Sequence, residues 1–76
     1  MNNLEKAKEI IETNFCLARC GIFNTFNIAG DSLDTIYDEN GLTIDICYYW
    51  GYFEVFGLSN EDFNELEKFY NSLIDY

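Results

Sequence analysis

Apolar residues near both ends of the chain recur every three or four positions, the spacing of one face of an α-helix. The N-terminal stripe predicts a helix that Asn2 or Asn3 caps and that runs to about Arg19. The C-terminal stripe predicts a helix over residues 60–75 with Ser59 as its N-cap. The stripes consist of Leu4, Ala7, Ile11, Phe15 and Ala18 in the first helix, and Phe63, Leu66, Tyr70 and Leu73 in the second.

Between the two helices the apolar residues alternate with period two, which is typical of β-strands. Asn40-Gly41 favours a tight type I′ turn, because both central residues of that turn need a positive φ. We predict an α+β fold and a single domain over residues 1–76. A four-stranded antiparallel meander would carry both helices on one face, in the order α-β-β-β-β-α. The predicted strands are residues 22–29, 33–39, 42–49 and 52–56.

The Asn40-Gly41 turn also predicts which side chains share a face, because side chains alternate along a strand. A second two-residue turn at Trp50-Gly51 would align the third and fourth strands. The cross-strand pairs predicted under the helices are Tyr37–Ile44, Thr35–Ile46, Leu33–Tyr48 and Tyr48–Phe53.

The other side of this sheet, the predicted open face, has no helix left to cover it. It mixes carboxylates with apolar and aromatic side chains, and an exposed patch of this kind usually marks an interaction site. Acids persist at an interface when the partner supplies Arg or Lys. The alternatives are that the rings are ordinary strand formers or close a homodimer. The predicted open face comprises Phe23, Thr25, Asn27, Asp34, Ile36, Asp38, Thr43, Asp45, Cys47, Tyr49, Tyr52, Glu54 and Phe56.

Charge is the strongest global feature of the composition. Fourteen Asp and Glu residues against four Lys and Arg residues, with no His, give a formal net charge of −10. Such a field attracts basic partners and repels nucleic acid and anionic membranes. We therefore expect no direct binding to either of these. Solubility is the alternative explanation for the charge.

The groups needed for catalysis or metal binding are sparse. Without His there is no imidazole base. Asp34, Asp45 and Glu54 could pair as acid and base, but a flat sheet face offers no pocket. We expect no enzyme activity, no cofactor and no metal.

The three cysteines do not form a CxxC pair. Cys16, Cys20 and Cys47 are expected to be reduced thiols that pack as small hydrophobic side chains rather than zinc ligands. The N-terminal segment lacks a signal-peptide pattern, so we expect a cytoplasmic protein.

The chain resembles the small, acidic, Asn- and Tyr-rich proteins of phages and mobile elements, and among them the anti-CRISPR inhibitors. The resemblance is carried by the hairpin "YDENGLTIDI", the aromatic turn "CYYWGYFEVFGL" and the acidic helix "SNEDFNELEKFY". These inhibitors share no common motif, so no site residue is transferred from them. The resemblance implies a stoichiometric inhibitor in the host cytoplasm. It would act as a DNA mimic in a basic channel of a CRISPR effector.

Two other functions fit the same residues. One is a self-associating structural module in which open faces stack, and the other is an immunity-type protein that neutralises a basic toxin. For the inhibitor, carboxylates would meet the partner's basic side chains, aromatic rings would anchor the contact, and the last helix would extend it. The predicted partner-binding residues are Asp34, Asp38, Asp45, Glu54, Tyr49, Tyr52, Phe56, Glu61 and Glu65.

Overall fold

A four-stranded sheet with two helices forms the structure, which confirms the predicted α+β class. The computed structural model describes residues 2–18, 20–23 and 33–74. The elements are α1 (Asn3–Thr13), a 3₁₀ segment (Phe15–Leu17), β1 (Gly21–Phe23), β2 (Leu33–Glu39), β3 (Leu42–Cys47), β4 (Tyr52–Phe56) and α2 (Asn60–Ile74).

The strand order corrects the predicted meander. β1 pairs in parallel with β4, so the order is β1-β4-β3-β2 and the sheet is mixed, although β2, β3 and β4 are antiparallel as predicted. β4 has large side chains on both faces, which suits a central strand, because the side chains of two neighbouring strands pack beside them. Pairing with β1 sets Ile22 beside Phe53 and covers the edge of β4 that a meander would expose. The predicted turn at Gly30-Asp31 and the remainder of the first predicted strand lie outside the described residues.

Both predicted N-caps are confirmed. The Asn2 side chain accepts a hydrogen bond from the Glu5 amide at 2.8 Å, and the Ser59 hydroxyl accepts one from the Asp62 amide at 3.1 Å. Each satisfies a donor that the first helical turn leaves open.

α1 ends at Thr13 rather than near Arg19. Asn14 bonds to the Ile10 carbonyl through its own amide and its side chain, at 3.0 and 2.9 Å. Such side-chain bonds to the backbone compete with helix continuation. The chain leaves α1 as a 3₁₀ segment, and this brings Phe15 to within 5.8 Å of the Tyr70 ring.

One hydrophobic core lies between the sheet and the helices, as the stripes predict. Ile44, Ile46, Phe53 and Val55 point to this side and are fully buried. The Tyr70 hydroxyl donates to the Ala18 carbonyl and ties α2 to the end of the N-terminal segment. The core also contains Ala7, Ile11, Ala18, Ile22, Leu42, Leu58 and Leu66, with Leu4, Phe15, Phe63 and Leu73 packed against it.

The β2–β3 turn is confirmed, but its register changes part-way along β2. Asn40 and Gly41 have φ values of 56° and 78°, and Tyr37 opposes Ile44. A β-bulge between Thr35 and Tyr37 then inserts one residue. A shift of one residue moves the side chains on the far side of the bulge from the turn to the other face of the sheet.

The bulge makes four predicted positions wrong. Asp34 opposes Ile46, on the helical side of the sheet, instead of lying on the open face. Thr35 opposes Asp45 instead of Ile46, and Leu33 opposes Cys47 instead of Tyr48. Ile36 packs against the core instead of lying on the open face. The bulge therefore partly buries an apolar side chain that a regular strand would expose.

The β3–β4 connection has four residues, Tyr48–Gly51, rather than the predicted two. The Gly51 amide donates to the Cys47 carbonyl at 2.8 Å and closes this turn. Phe53 therefore opposes Ile46, and Tyr48 is 56% exposed in the turn rather than buried beside Phe53. The pairing slips by two residues, so β4 keeps its predicted faces.

Gly57 gives a sharp test of this packing. Its φ is +94°, and an added Cβ would overlap the Gly41 carbonyl at the tip of the β2–β3 turn. Gly57→Ala should lower the free energy of unfolding by about 2–5 kcal/mol, from left-handed strain plus overpacking. Urea unfolding followed by circular dichroism measures it. Gly41→Ala is the control, because its φ is also positive but an added Cβ meets open space. Equal losses in the two variants would contradict the close approach.

Candidate partner-binding face

Three rows of side chains cross the sheet on the side opposite the helices. The central row runs Phe23–Glu54–Asp45–Thr35 over β1, β4, β3 and β2. Tyr52–Cys47 forms the row on one side of it, and Phe56–Thr43–Asp38 forms the row on the other. We call this surface the acidic face: Phe23, Thr35, Asp38, Thr43, Asp45, Cys47, Tyr52, Glu54 and Phe56.

The centre of the acidic face is a pair of opposed carboxylates. Asp45 and Glu54 are directly opposite in the β3–β4 register, a position where like charges repel. Asp45 is partly exposed, whereas the Glu54 side chain has no exposed surface. Cys47 is also buried. The expectation of an open face is therefore wrong at its centre and holds only around it.

The Glu54 carboxylate has fewer hydrogen bonds than a buried carboxylate normally makes. One oxygen accepts a long hydrogen bond from the Tyr52 hydroxyl, at 3.4 Å. The other, Oε2, has no hydrogen-bond partner among the described residues. Buried polar atoms are nearly always paired, so this oxygen marks a local cost.

Burial, and then the charge of Asp45, raise the pKa of Glu54 above its ordinary value of 4.5, while the Tyr52 hydrogen bond opposes them. Burial likewise raises the pKa of Tyr52, with further contributions from Cys47 and Glu54. In the described part of the chain, the ion pairs are Lys6–Glu9 and Lys68–Glu65, within the two helices. Neither brings a cation to the Asp45–Glu54 pair.

Threonines orient the two aspartates of the face. The Thr35 hydroxyl donates to Asp45 Oδ1 at 2.7 Å, and the Thr43 hydroxyl donates to Asp38 Oδ1 at 3.1 Å. The first bond exists because the bulge turns Thr35 toward Asp45. Asp38 and Asp45 are diagonal neighbours, as predicted.

Aromatic rings flank the carboxylates along β4. The Phe23 and Tyr52 rings meet edge to face, with centroids 4.7 Å apart. Phe23 is 39% exposed, and Tyr52 and Phe56 are partly exposed. The face thus combines a charged centre with apolar surroundings that a partner can contact.

Four predicted site residues lie elsewhere. The bulge sets the exposed Asp34 opposite Ile46, on the helical side of the sheet. Glu61 and Glu65 are on α2, whose buried residues pack against that same side. Tyr49 is in the β3–β4 turn. Asp38, Asp45, Glu54, Tyr52 and Phe56 remain together.

Sequence reasoning predicted Tyr49 as a site residue but missed its neighbours Tyr48 and Trp50 in the β3–β4 connection. We call Tyr48–Gly51 the aromatic turn. Tyr48, Tyr49 and Trp50 are 56%, 80% and 61% exposed. They border a shallow depression of about 210 Å³, whose other wall is Cys16 and Leu17. Three consecutive rings before a glycine were the available signal.

Two cysteines also differ from expectation. Cys16 and Cys20 are exposed, not buried, because α1 ends before it reaches them. Cys20 bonds to the aromatic turn through its amide, which donates to the Gly51 carbonyl at 3.0 Å. Its thiol donates to the Trp50 carbonyl at 2.8 Å.

Replacing Glu54 by Gln should stabilise the protein at neutral pH. Because the folded-state pKa is raised, the folded protein holds this proton more tightly, and stability falls as pH rises from about 4.5 through the folded-state pKa. At pH 7 Glu54→Gln should unfold at a higher temperature than the wild type. This difference in unfolding temperature should become smaller toward pH 4.

Thermal unfolding at several pH values measures this gap. Glu39→Gln is the control for losing one negative charge, since Glu39 is exposed at the end of β2. A gap that is the same at pH 4 and pH 7, or that Glu39→Gln reproduces, would contradict a buried and repelled Glu54.

Among the described residues, no three His, Cys, Asp or Glu side chains cluster closely enough to hold a metal ion. No described helix has the length and apolar character needed to cross a membrane. Comparison with protein-family models, curated proteins and solved structures finds no match for this chain.

Proposed function

We propose that this protein is a stoichiometric inhibitor that docks its acidic face on a basic, nucleic-acid-binding surface of another protein. The observation that carries the proposal is the Asp45–Glu54 pair. Two carboxylates oppose each other at the centre of a sheet face, and no cation among the described residues approaches them. A chain selected for stability alone gains nothing from this arrangement.

A partner's guanidinium or ammonium group would offset the cost of the pair. Asp45 is accessible, so a basic side chain can form a charge-assisted bond to it, a kind about twice as strong as a neutral hydrogen bond. Glu54 need not be touched directly, because a positive charge a few ångströms away also favours its ionised form. The unpaired Glu54 oxygen itself costs about 1–3 kcal/mol. A partner's positive charge would offset the repulsion between the two carboxylates rather than this missing bond.

The surroundings of the pair suit a protein rather than a small ion. Asp38 supplies a second accessible carboxylate, and Phe23, Tyr52 and Phe56 supply apolar contact area. Protein interfaces favour aromatic anchors beside a few well-placed charges. The net charge of −10 would speed encounter with a basic partner.

The resemblance to anti-CRISPR inhibitors supplies the narrower proposal. The target would be a CRISPR effector complex in the host cytoplasm, where carboxylates replace nucleic-acid phosphates against Lys and Arg. An immunity-type protein against a basic toxin would use the same face on a different target. Stacking of two acidic faces into a dimer is disfavoured, because it would bring two Asp45–Glu54 pairs together.

Charge reversal at one residue should abolish target binding. Asp45→Lys should weaken capture of a CRISPR effector complex by roughly 10²-fold or more, because like charges at an interface cost several kcal/mol. It should not lower the unfolding temperature, since the new ammonium lies opposite Glu54. Titration of immobilised wild-type and variant protein with the effector measures this.

Asp34→Lys is the matched control. It makes the same charge change on β2, but at a position that the bulge moves off the acidic face. It should retain most of the binding. Equal loss in both variants would show that bulk charge, and not the acidic face, drives association.

Binding should also weaken steeply with salt and compete with DNA. Interactions between exposed charges more than about 8 Å apart are largely screened at physiological ionic strength, and this distance shortens as salt is added. Raising NaCl from 50 to 300 mM (about sixfold) in the same titration should reduce affinity, and duplex DNA should displace the protein. Salt-insensitive binding, or a ternary complex with DNA, would rule out occupation of a nucleic-acid channel.

A further inference from the structure

We propose that the aromatic turn is a second binding site, which takes an arginine side chain of the partner into the depression beside Trp50. The site is separate from the acidic face and rests on the proposed function only for the basic character of the partner.

The aromatic turn is the most exposed apolar feature of the described chain. Its rings are Tyr48, Tyr49 and Trp50, which follow one another in the chain, whereas the exposed Phe23 belongs to the acidic face, where its ring contacts Tyr52. Isolated surface apolar residues are ordinary, but a contiguous group usually marks a contact surface.

The turn is held in place before any partner arrives. Gly51 closes it with its bond to the Cys47 carbonyl, and its φ of 71° suits glycine. Cys20 ties it from the opposite side through bonds to the Gly51 and Trp50 carbonyls. The Tyr49 and Trp50 rings brace each other edge to face, with centroids 5.0 Å apart. Binding here would therefore cost little ordering entropy.

The depression has room for one side chain. Its volume of about 210 Å³ is below the roughly 300–1,000 Å³ of small-molecule pockets. Its described lining is three aromatic rings, Gly51, and Cys16 with Leu17 from the 3₁₀ segment. None of these lining residues is Asp, Glu, Lys, Arg or His.

Charge complementarity selects the occupant. A second copy of this chain, a nucleic acid and an anionic membrane would all meet the repulsion of a net charge of −10. Cations are attracted by the same field and bind to the faces of Trp and Tyr rings. Arginine fits better than lysine, because its planar guanidinium stacks on aromatic faces and is less strongly hydrated.

Trp50 is the single tryptophan of the chain, so its fluorescence reports on this site alone. The probe is a capped hexa-arginine peptide, and capped hexa-lysine carries the same charge. We expect hexa-arginine to change Trp50 emission and protect it from acrylamide quenching, with clearly less protection by hexa-lysine. Equal protection by both peptides would overturn the arginine assignment.

Two variants separate this site from the acidic face. Tyr49→Ser should weaken hexa-arginine binding roughly 2- to 5-fold, the size of an exposed cation–π contact, and reduce the protection of Trp50. The double variant Asp38→Asn/Asp45→Asn should weaken binding of both peptides yet keep the preference for arginine. Tyr49 is exposed, so circular dichroism should show an unchanged fold.

The remaining outcomes are decisive too. Peptide binding seen by calorimetry without a change at Trp50 would overturn this site while leaving the acidic-face proposal intact. Asp45→Lys could still capture the effector while hexa-arginine still protects its Trp50. That result would overturn the acidic-face proposal and leave the aromatic-turn proposal standing. Protection by single-stranded DNA, or by raising the protein concentration alone, would assign a different occupant and reject arginine.

Discussion

The central position of β4 is the constraint on which the rest of the structure depends. Its apolar side chains, Phe53 and Val55, are fully buried under the helices. A strand with large side chains on both faces is most stable between two neighbours, because they pair both of its edges and pack side chains beside its own on each face. Pairing with β1 and β3 then places Glu54 in the middle of the opposite face, directly across from Asp45. The acidic centre is thus a consequence of the same pairing that completes the core.

Under the proposed function, this arrangement sets the stability of the fold against binding of a partner. The core contributes the usual hydrophobic stabilisation, while Glu54 and Asp45 act in the opposite direction through burial and like-charge repulsion. A 76-residue chain has little stability to spare, because small domains bury only about 60% of their unfolded surface. A cost carried at such a site is understandable if a partner's cation relieves it. The threonines at positions 35 and 43 support this interpretation, since they hold the two neighbouring aspartates in fixed orientations without neutralising them.

The β3–β4 hairpin brings together the two surfaces that we assign to binding. Its strands carry the carboxylate pair, and its four-residue connection carries the exposed rings. In the proposed complex the two surfaces would act differently, because charge on the acidic face would provide long-range attraction and the aromatic turn would provide short-range contact area. Cys20 links the turn to the N-terminal segment, so the position of the rings depends on where α1 ends.

Local features of the sequence were enough to predict the helix stripes, both N-caps, the turn at Asn40-Gly41 and the faces of β3 and β4. Each depends on periodicity or on the φ preference of one or two residues, and these act over a few positions. The early end of α1 follows from the local Asn14 bonds to the Ile10 carbonyl, whereas the partners of β1 and the bulge at Ile36 were decided by tertiary structure. Each represents a choice between backbone hydrogen-bond arrangements of similar local energy, and burial of distant side chains made the choice.

The candidate site divides in the same way. Asp38, Asp45, Tyr52, Glu54 and Phe56 follow from alternation along strands. The displacement of Asp34, the burial of Glu54 and the exposure of Tyr48 and Trp50 follow from long-range packing, because a one-residue bulge or a longer turn moves a side chain without changing the local pattern.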